Sequence, residues 1–330
     1  MNNSFLKYIW QNHFLASIII VLFGYFIFLI KDILILAFIS FIIMATLSPA
    51  VKFLKSKRIP NMVSVILSYF SALGILLLII FPLVPFFVSQ MQSLFNSLPK
   101  YVDQVALLFK LPTSSQQINS FLATEVNIIS KNAFTVTSRL FGGFFSTLTV
   151  FVISFYMLLD KQRVQNGIIS LFPKNNQKKA METLIQVEEK LGAWFRGQVI
   201  LCFSIGFLTW LTLTILGLNF ALPLAVVAGL LEIIPTIGPI ISSIPAIIVA
   251  LTISPTMAII VALSYIVIQA LENNLLVPKI MQKAVGLNPI LIILAVITGS
   301  RVIGIIGALL AIPFISMLII VFRGIKSSSN

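Results

Sequence analysis

Apolar positions in this chain come in long runs rather than in alternation, and the runs predict helices. Phe14 to Ile30, Val63 to Val88 and Val199 to Leu216 are near or above the about 20 apolar residues that carry a helix across a bilayer. Helix one is expected at about Phe14 to Ile30, followed by Lys31-Asp32 as a tight polar turn and helix two at about Ile33 to Ala50. Pro60 opens helix three, since proline is tolerated in a first turn. That helix reaches about Val88, past Pro82 and Pro85, which should kink or end it. Helix four is expected at about Leu140 to Leu159, helix five at about Gly197 to Leu216, and a further helix at about Thr256 to Ala270.

Between these runs the pattern turns amphipathic twice. Met91, Leu94, Phe95, Leu98, Tyr101, Val102, Val105 and Leu108 fall on one helical stripe. The stretch is polar enough to lie outside the bilayer or in its interface, as a lid on the protein or a partner-binding segment. Met181, Leu184, Ile185, Leu191, Trp194 and Phe195 form a second stripe inside 160–196, which carries seven basic and four acidic side chains. That segment reads as a helix along the inner membrane surface. The expected divisions are therefore 1–89 (first membrane helices), 90–138 (amphipathic, extramembrane), 139–160 (membrane helix) and 161–196 (cytoplasmic, amphipathic). A transport core at 197–322 and a tail at 323–330 complete them.

Within the last division, apolar sequence is interrupted where a plain span would not be. Leu231 to Ala246 reads LEIIPTIGPIISSIPA and holds Glu232, Pro235, Gly238, Pro239 and Pro245. Each proline removes a backbone donor. In hydrocarbon the freed groups must face protein or a wet cavity. An ionisable residue at such a break marks a functional site. A second stretch repeats the pattern. Gly217-Leu218-Asn219, Pro223, Glu232, Ile237-Gly238 and Ile244-Pro245 correspond to Gly286-Leu287-Asn288, Pro289, Arg301, Ile306-Gly307 and Ile312-Pro313, with Gly299 and Gly304 inside the second copy. Glu232 and Arg301 each precede their glycine by six residues. Counting crossings makes the copies enter from opposite faces, the arrangement of an inverted repeat whose broken helices line a transporter's binding site. Residues 289–299 are too short to span straight, so a hairpin or re-entrant element is expected there.

Gln269, Glu272, Asn273 and Asn274 lie between the copies. They read either as a helix C-terminus at the interface or as a polar wall of the solute path. Glu232 reads either as a proton carrier, its carboxyl desolvated, or as the partner of Arg301, since buried charges are usually paired.

Composition then narrows the class. Only 9% of residues are charged, against roughly 25% in soluble domains, and 59% are hydrophobic. The chain is expected to be all-α: a polytopic helical membrane protein with Pro/Gly-broken, re-entrant hairpins. The net charge of +13 does not point to nucleic acid. Its cations sit in short loops such as Lys52, Lys55, Lys57 and Arg58, the pattern of cytoplasmic loops, which also places the amino terminus in the cytoplasm. No small-residue cleavage site follows the first apolar run, so a retained first helix is expected. The lone cysteine, Cys202, forms no intrachain disulfide. Enzyme readings find no H-E-x-x-H, no G-x-S-x-G and no Cys/His cluster. No metal or cofactor is expected.

LEIIPTIGPI from Leu231, QALENNLLVP from Gln269 and VGLNPILIILAVITGSRVIGIIGALLAIP from Val285 resemble the signature half of the autoinducer-2 exporter (AI-2E) family. PLVPFFVSQMQSL from Pro82, FYMLLDKQR from Phe155 and LGAWFRGQVIL from Leu191 extend the likeness to about residues 40–322. The resemblance implies a multipass protein of the bacterial plasma membrane, a homo-oligomer with a pentamer as one arrangement, and secondary transport. It implies export of the quorum-sensing signal in some members and sodium or lithium/proton antiport in others. The residues favour export of a small polar metabolite such as autoinducer-2, at a site of Asn, Gln and backbone carbonyls. Antiport through Glu232 and Glu272 is the alternative, and a membrane scaffold or regulator is the reading from another class.

Overall fold

The computed structural model describes residues 13–75, 78, 147–234, 237–281 and 288–326. The amphipathic stretch 90–138, the kinks expected at Pro82 and Pro85, and Pro235 lie outside these residues. Every regular element among the described residues is helical, as the long apolar runs require. Among the described residues, four helices are long and apolar enough to cross a membrane: Lys31–Ser56, Lys174–Ile215, Pro255–Ile280 and Ile305–Lys326. The protein is a polytopic helical membrane protein.

Helix α1 (His13–Leu29) leads into α2 (Lys31–Ser56) through the single residue Ile30. The helical hydrogen-bond ladder crosses the junction, with Ile30 N donating to Phe26 O at 3.1 Å and Leu34 N to Ile30 O at 3.0 Å. Lys31-Asp32 therefore opens α2 and is not the tight turn its polarity suggested. Asp32 lies in the first turn of α2, where a helix favours negative charge. Helices α3 (Asn61–Ile75) and α4 (Thr147–Leu159) pack on α2 through Met44, Val51, Val65, Tyr69 and Leu158. Tyr69 and Phe155 meet edge to face, with ring centroids 5.4 Å apart. Ser40, Ser64, Ser68 and Ser154 are buried in the same bundle while Phe70 and Tyr156 face outward. Small polar residues between helices and bulky apolar ones outside suit a lipid solvent.

Helix α5 (Lys161–Ile169) and a 3₁₀ turn (Lys174–Asn176) precede α6 (Gln177–Ile215). The sequence reading divides α6 at 196/197 into a surface helix and a span. The structure makes it one helix of 39 residues, about 58 Å long at 1.5 Å per residue and roughly twice the bilayer core. Nothing in 190–200 breaks a helix. Gly192 and Gly197 serve instead as points of close approach: a Cβ on Gly192 would lie 2.4 Å from Ala45 O, and one on Gly197 would lie 2.8 Å from Met281 Sδ. Lys161 pairs with Glu188 and donates to Ser48 Oγ at 2.9 Å, tying α5 to α6 and α2. Gly217, with φ +69°, ends α6, and Leu218 N donates back to Leu213 O at 3.0 Å in a Schellman-type cap.

The carboxyl-terminal part consists of α7 (Ala221–Leu231), α8 (Ile237–Leu251), α9 (Pro255–Leu271), a π turn (Glu272–Leu276) and α10 (Val277–Ile280). Then come α11 (Pro289–Ile303) and α12 (Ile305–Lys326). Leu213, Leu224, Val249, Val261 and Tyr265 form a core between α6, α7, α8 and α9. The second broken segment is a helical hairpin, with Gly304 between α11 and α12 and Ala295, Val296, Ala308 and Ala311 packed along its seam.

Candidate functional site

The first break sets up the site. Helix α7 is short because the chain turns at Glu232 to Ile234. The next helix begins so close that a Cβ on Gly238 would lie 2.0 Å from Leu231 O. Glycine is required there by contact. Helix α7 is pressed equally hard on α6, where a Cβ on Gly229 would lie 2.7 Å from Cys202 O. These two approaches hold the end of α7 against the middle of α6 and bury Glu232 to 1% exposure.

The groups around Glu232 are polar and few. Gln198 of α6 donates from Nε2 to the Glu232 carbonyl at 2.7 Å, which satisfies one of the orphan carbonyls at a helix end. The Glu232 carboxyl lies beside that of Glu272. Gln269 Nε2 donates to Glu272 Oε2 at 2.9 Å. Glu272 is itself buried, at 4% exposure, and the Cys202 thiol lies beside Gln198. Glu232 Oε2 is buried without a hydrogen-bond partner among the described residues. An ionised carboxylate only accepts, so two such groups side by side bond to each other only through a proton. The site thus brings two buried acids together.

Glu272 reaches this position through the π turn. Pro278 has no N–H and crowds the carbonyl four residues back, and the wide turn just before it, Glu272–Leu276, relieves that clash. Such turns recur at functional sites. Asn274 Nδ2 donates to Ala270 O at 2.8 Å, serving a carbonyl at the turn.

The polar cluster predicted from sequence therefore divides. Gln269 and Glu272 face inward, while Asn273 and Asn274 are exposed. The helix does not end at the cluster but continues as α10, so neither the cap reading nor a wall of four side chains describes it whole. Gly238 is buried under the site and Pro239 is half-buried behind it. Gly304 is exposed at the turn between α11 and α12, with φ +70° and ψ −146°.

The pairing of Glu232 with Arg301 is corrected. Arg301 is exposed in the last turn of α11, and the neighbour of Glu232 is an acid. Equal spacing before a glycine placed the two charges at matching positions in two hairpins, which is not contact. In α11, Gly299 faces α12, and a residue two further on is rotated about 200° around the helix at 3.6 residues per turn.

Gln198 was missed. It was visible only as a single amide inside the apolar run of helix five, beside Gly197.

A polytopic helical bundle with a buried, charged break between short helices has the design of a membrane transporter. The chain belongs to the AI-2E family transporters: the family model matches residues 15–326. It is similar to "Putative transport protein YueF" of Bacillus subtilis, 30% identical over 284 residues that cover 81% of this chain and 77% of that one. YrrI of the same organism carries the same title and is 26% identical over 305 residues, covering 88% and 85% of the two chains. YhhT of Escherichia coli K12, also so titled, is 24% identical over 325 residues, covering 96% and 91%. Membrane transport is the function that family and relatives share by name.

Proposed function

We propose that the chain is a secondary transporter in which the Glu232–Glu272 pair carries a proton, and that sodium or lithium/proton antiport is the reaction. One observation carries this: two buried carboxyls lie side by side, with one oxygen unpartnered among the described residues. A monovalent cation could replace the proton between them, because hard cations take oxygen ligands. Metabolite export gains over antiport when one of the two carboxylates in the carboxyl-terminal helices is paired with Arg301, and Arg301 is exposed. Export of a small polar metabolite such as autoinducer-2 is the second reading. It is favoured by the amides of Gln198 and Gln269 at the pair, which could bind hydroxyl groups. A scaffold role finds no support in two carboxyls at such a break. The proposal includes a bacterial plasma membrane location with the basic stretch 52–58 in the cytoplasm, and a homo-oligomeric assembly for which the family resemblance gives a pentamer as one arrangement.

Flux in proteoliposomes tests the reading. A sodium or lithium gradient is imposed, and internal pH is followed with a trapped dye. The expected result is a pH change that Glu232→Gln abolishes. No pH change in folded, inserted protein rejects antiport, and uptake of labelled autoinducer-2 then tests the second reading.

A further inference from the structure

A separate cavity of about 660 Å³ opens between α2, α6 and α12, on the side of α6 that faces α2 rather than α7. Lys52, Lys190, Arg196 and Arg323 line it, with Ser48 and Ser316 between them. Two carboxylates also reach its wall, Glu188 and Glu189. Glu188 is already held by Lys161 and by Gln165, whose Nε2 donates to it at 3.0 Å. Glu189 is exposed. Cations therefore outnumber the carboxylates left to meet them. Lys52, Lys190 and Arg323 form no ion pair among the described residues.

Two features show that this is more than a basic surface. Arg196 is fixed in place, its Nη1 donating to Thr46 O at 3.0 Å and to Ala45 O at 3.4 Å. A guanidinium has five donors in a rigid fork, so others remain for a ligand. Ser316 is 3% exposed, and its Oγ has no hydrogen-bond partner among the described residues. A buried hydroxyl without a partner costs free energy, and an oxyanion seated in the cavity would supply that partner. The volume falls within the range of small-molecule sites.

We infer that this cavity binds a phosphate-bearing anion. Arg and Lys around one site are the usual recognition of phosphate. The cavity lies at the end of the bundle that carries the basic end of α2 and the turn after it, 52–58, and the last turn of α12, with Arg323 and Lys326. That is headgroup level, and basic pockets between membrane helices there bind phospholipid headgroups. A soluble phosphate-bearing anion has the same chemistry.

The test is thermal melting and ligand titration of the purified full chain in dodecyl maltoside. The probes are micelles carrying phosphatidylglycerol, micelles carrying phosphatidylcholine, and inorganic phosphate against chloride at matched ionic strength. Lys190→Gln with Arg323→Gln should weaken binding about 25-fold, each hydrogen bond lost to the phosphate being worth about fivefold. The control is Lys57→Gln with Lys326→Gln, which removes equal charge outside the cavity and should change little. Stabilisation by phosphatidylglycerol but not phosphatidylcholine, lost only in the cavity variant, assigns a lipid headgroup. Stabilisation by inorganic phosphate, lost in the same way, assigns a soluble anion. No stabilisation by either probe, or equal loss in both variants, overturns the inference. If the cavity variant does not fold, Lys52→Gln with Arg323→Gln is read by the same criteria.

Discussion

Gly299 and Gly307 meet backbone to backbone across the α11–α12 hairpin. A Cβ on Gly307 would stand 2.0 Å from Gly299 O, and one on Gly299 would stand 2.3 Å from Gly307 O. The first break has the same device, with Gly238 against Leu231 O at 2.0 Å. Both broken segments thus close by laying a bare glycine on the preceding helix.

Gly307→Ala should destabilise the protein by about 1–3 kcal/mol or more, because backbone cannot yield as a side chain does. Gly304→Ala should cost about 1–3 kcal/mol for a different reason, since its φ of +70° and ψ of −146° suit only glycine. Gly24 has nothing within 4 Å of its would-be Cβ and sits inside α1, so Gly24→Ala should be neutral or gain about 0.5–1 kcal/mol. Melting temperatures in detergent should rank the three in this order of sign.

The acid pair separates stability from transport. Glutamine mimics a protonated glutamate and can donate to the carboxylate opposite. Glu232→Gln and Glu272→Gln should therefore each melt within about 1 kcal/mol of the parent, roughly the net worth of one hydrogen bond, while proton-coupled flux is lost. Glu232→Ala should melt lower, by about 2–5 kcal/mol, through the cavity it leaves. Equal flux in the parent and both Gln variants would remove the pair from the mechanism.

Lys161 and Glu188 form an ion pair with side-chain exposures of 24% and 6%. Removing one partner of a buried pair leaves a charge uncompensated and costs about 3–5 kcal/mol. Lys161→Met should fall at the lower end of that range, since Lys161 is partly solvated. Glu188→Gln leaves Gln165 and Lys161 facing a neutral amide and should also destabilise. Lys161→Met combined with Glu188→Leu should recover most of the loss, because a packed apolar pair replaces the ions. A four-corner cycle of melting temperatures gives the coupling directly.

What could be read from sequence follows how far each signal travels along the chain. Apolar runs are local, so membrane helices, the break at Glu232 and a hairpin after residue 289 were legible, though not its turn at Gly304. Glu232 stood out because a carboxylate beside proline and glycine in apolar sequence is costly. Its partner was not legible, because contact between α7 and the end of α9 depends on how three helices pack. The repeat suggested Arg301, while packing supplied Glu272, 40 residues away in the chain rather than 69. The unity of α6 was hidden for a related reason. Its charge changes abruptly near 196, but helicity depends on the backbone, and no proline interrupts Gln177–Ile215.

Gln198 offers the sharpest check on the site's construction. Its Nε2 is the donor for the Glu232 carbonyl, at 2.7 Å in a buried setting, and its side chain also meets the Cys202 thiol. Gln198→Leu keeps the approximate volume and removes the amide. The Glu232 carbonyl is then left without that donor at a helix end that hydrocarbon cannot hydrate. The expected cost is about 1–3 kcal/mol, the penalty for a buried group left unpaired. Gln198→Glu should be worse, because a third carboxyl would join Glu232 and Glu272 where ionised acids repel each other. Cys202→Ser should change stability less than either, its thiol being a weak partner. If Gln198→Leu melts like the parent and retains full flux, this amide neither holds the end of α7 nor shapes the acid pair.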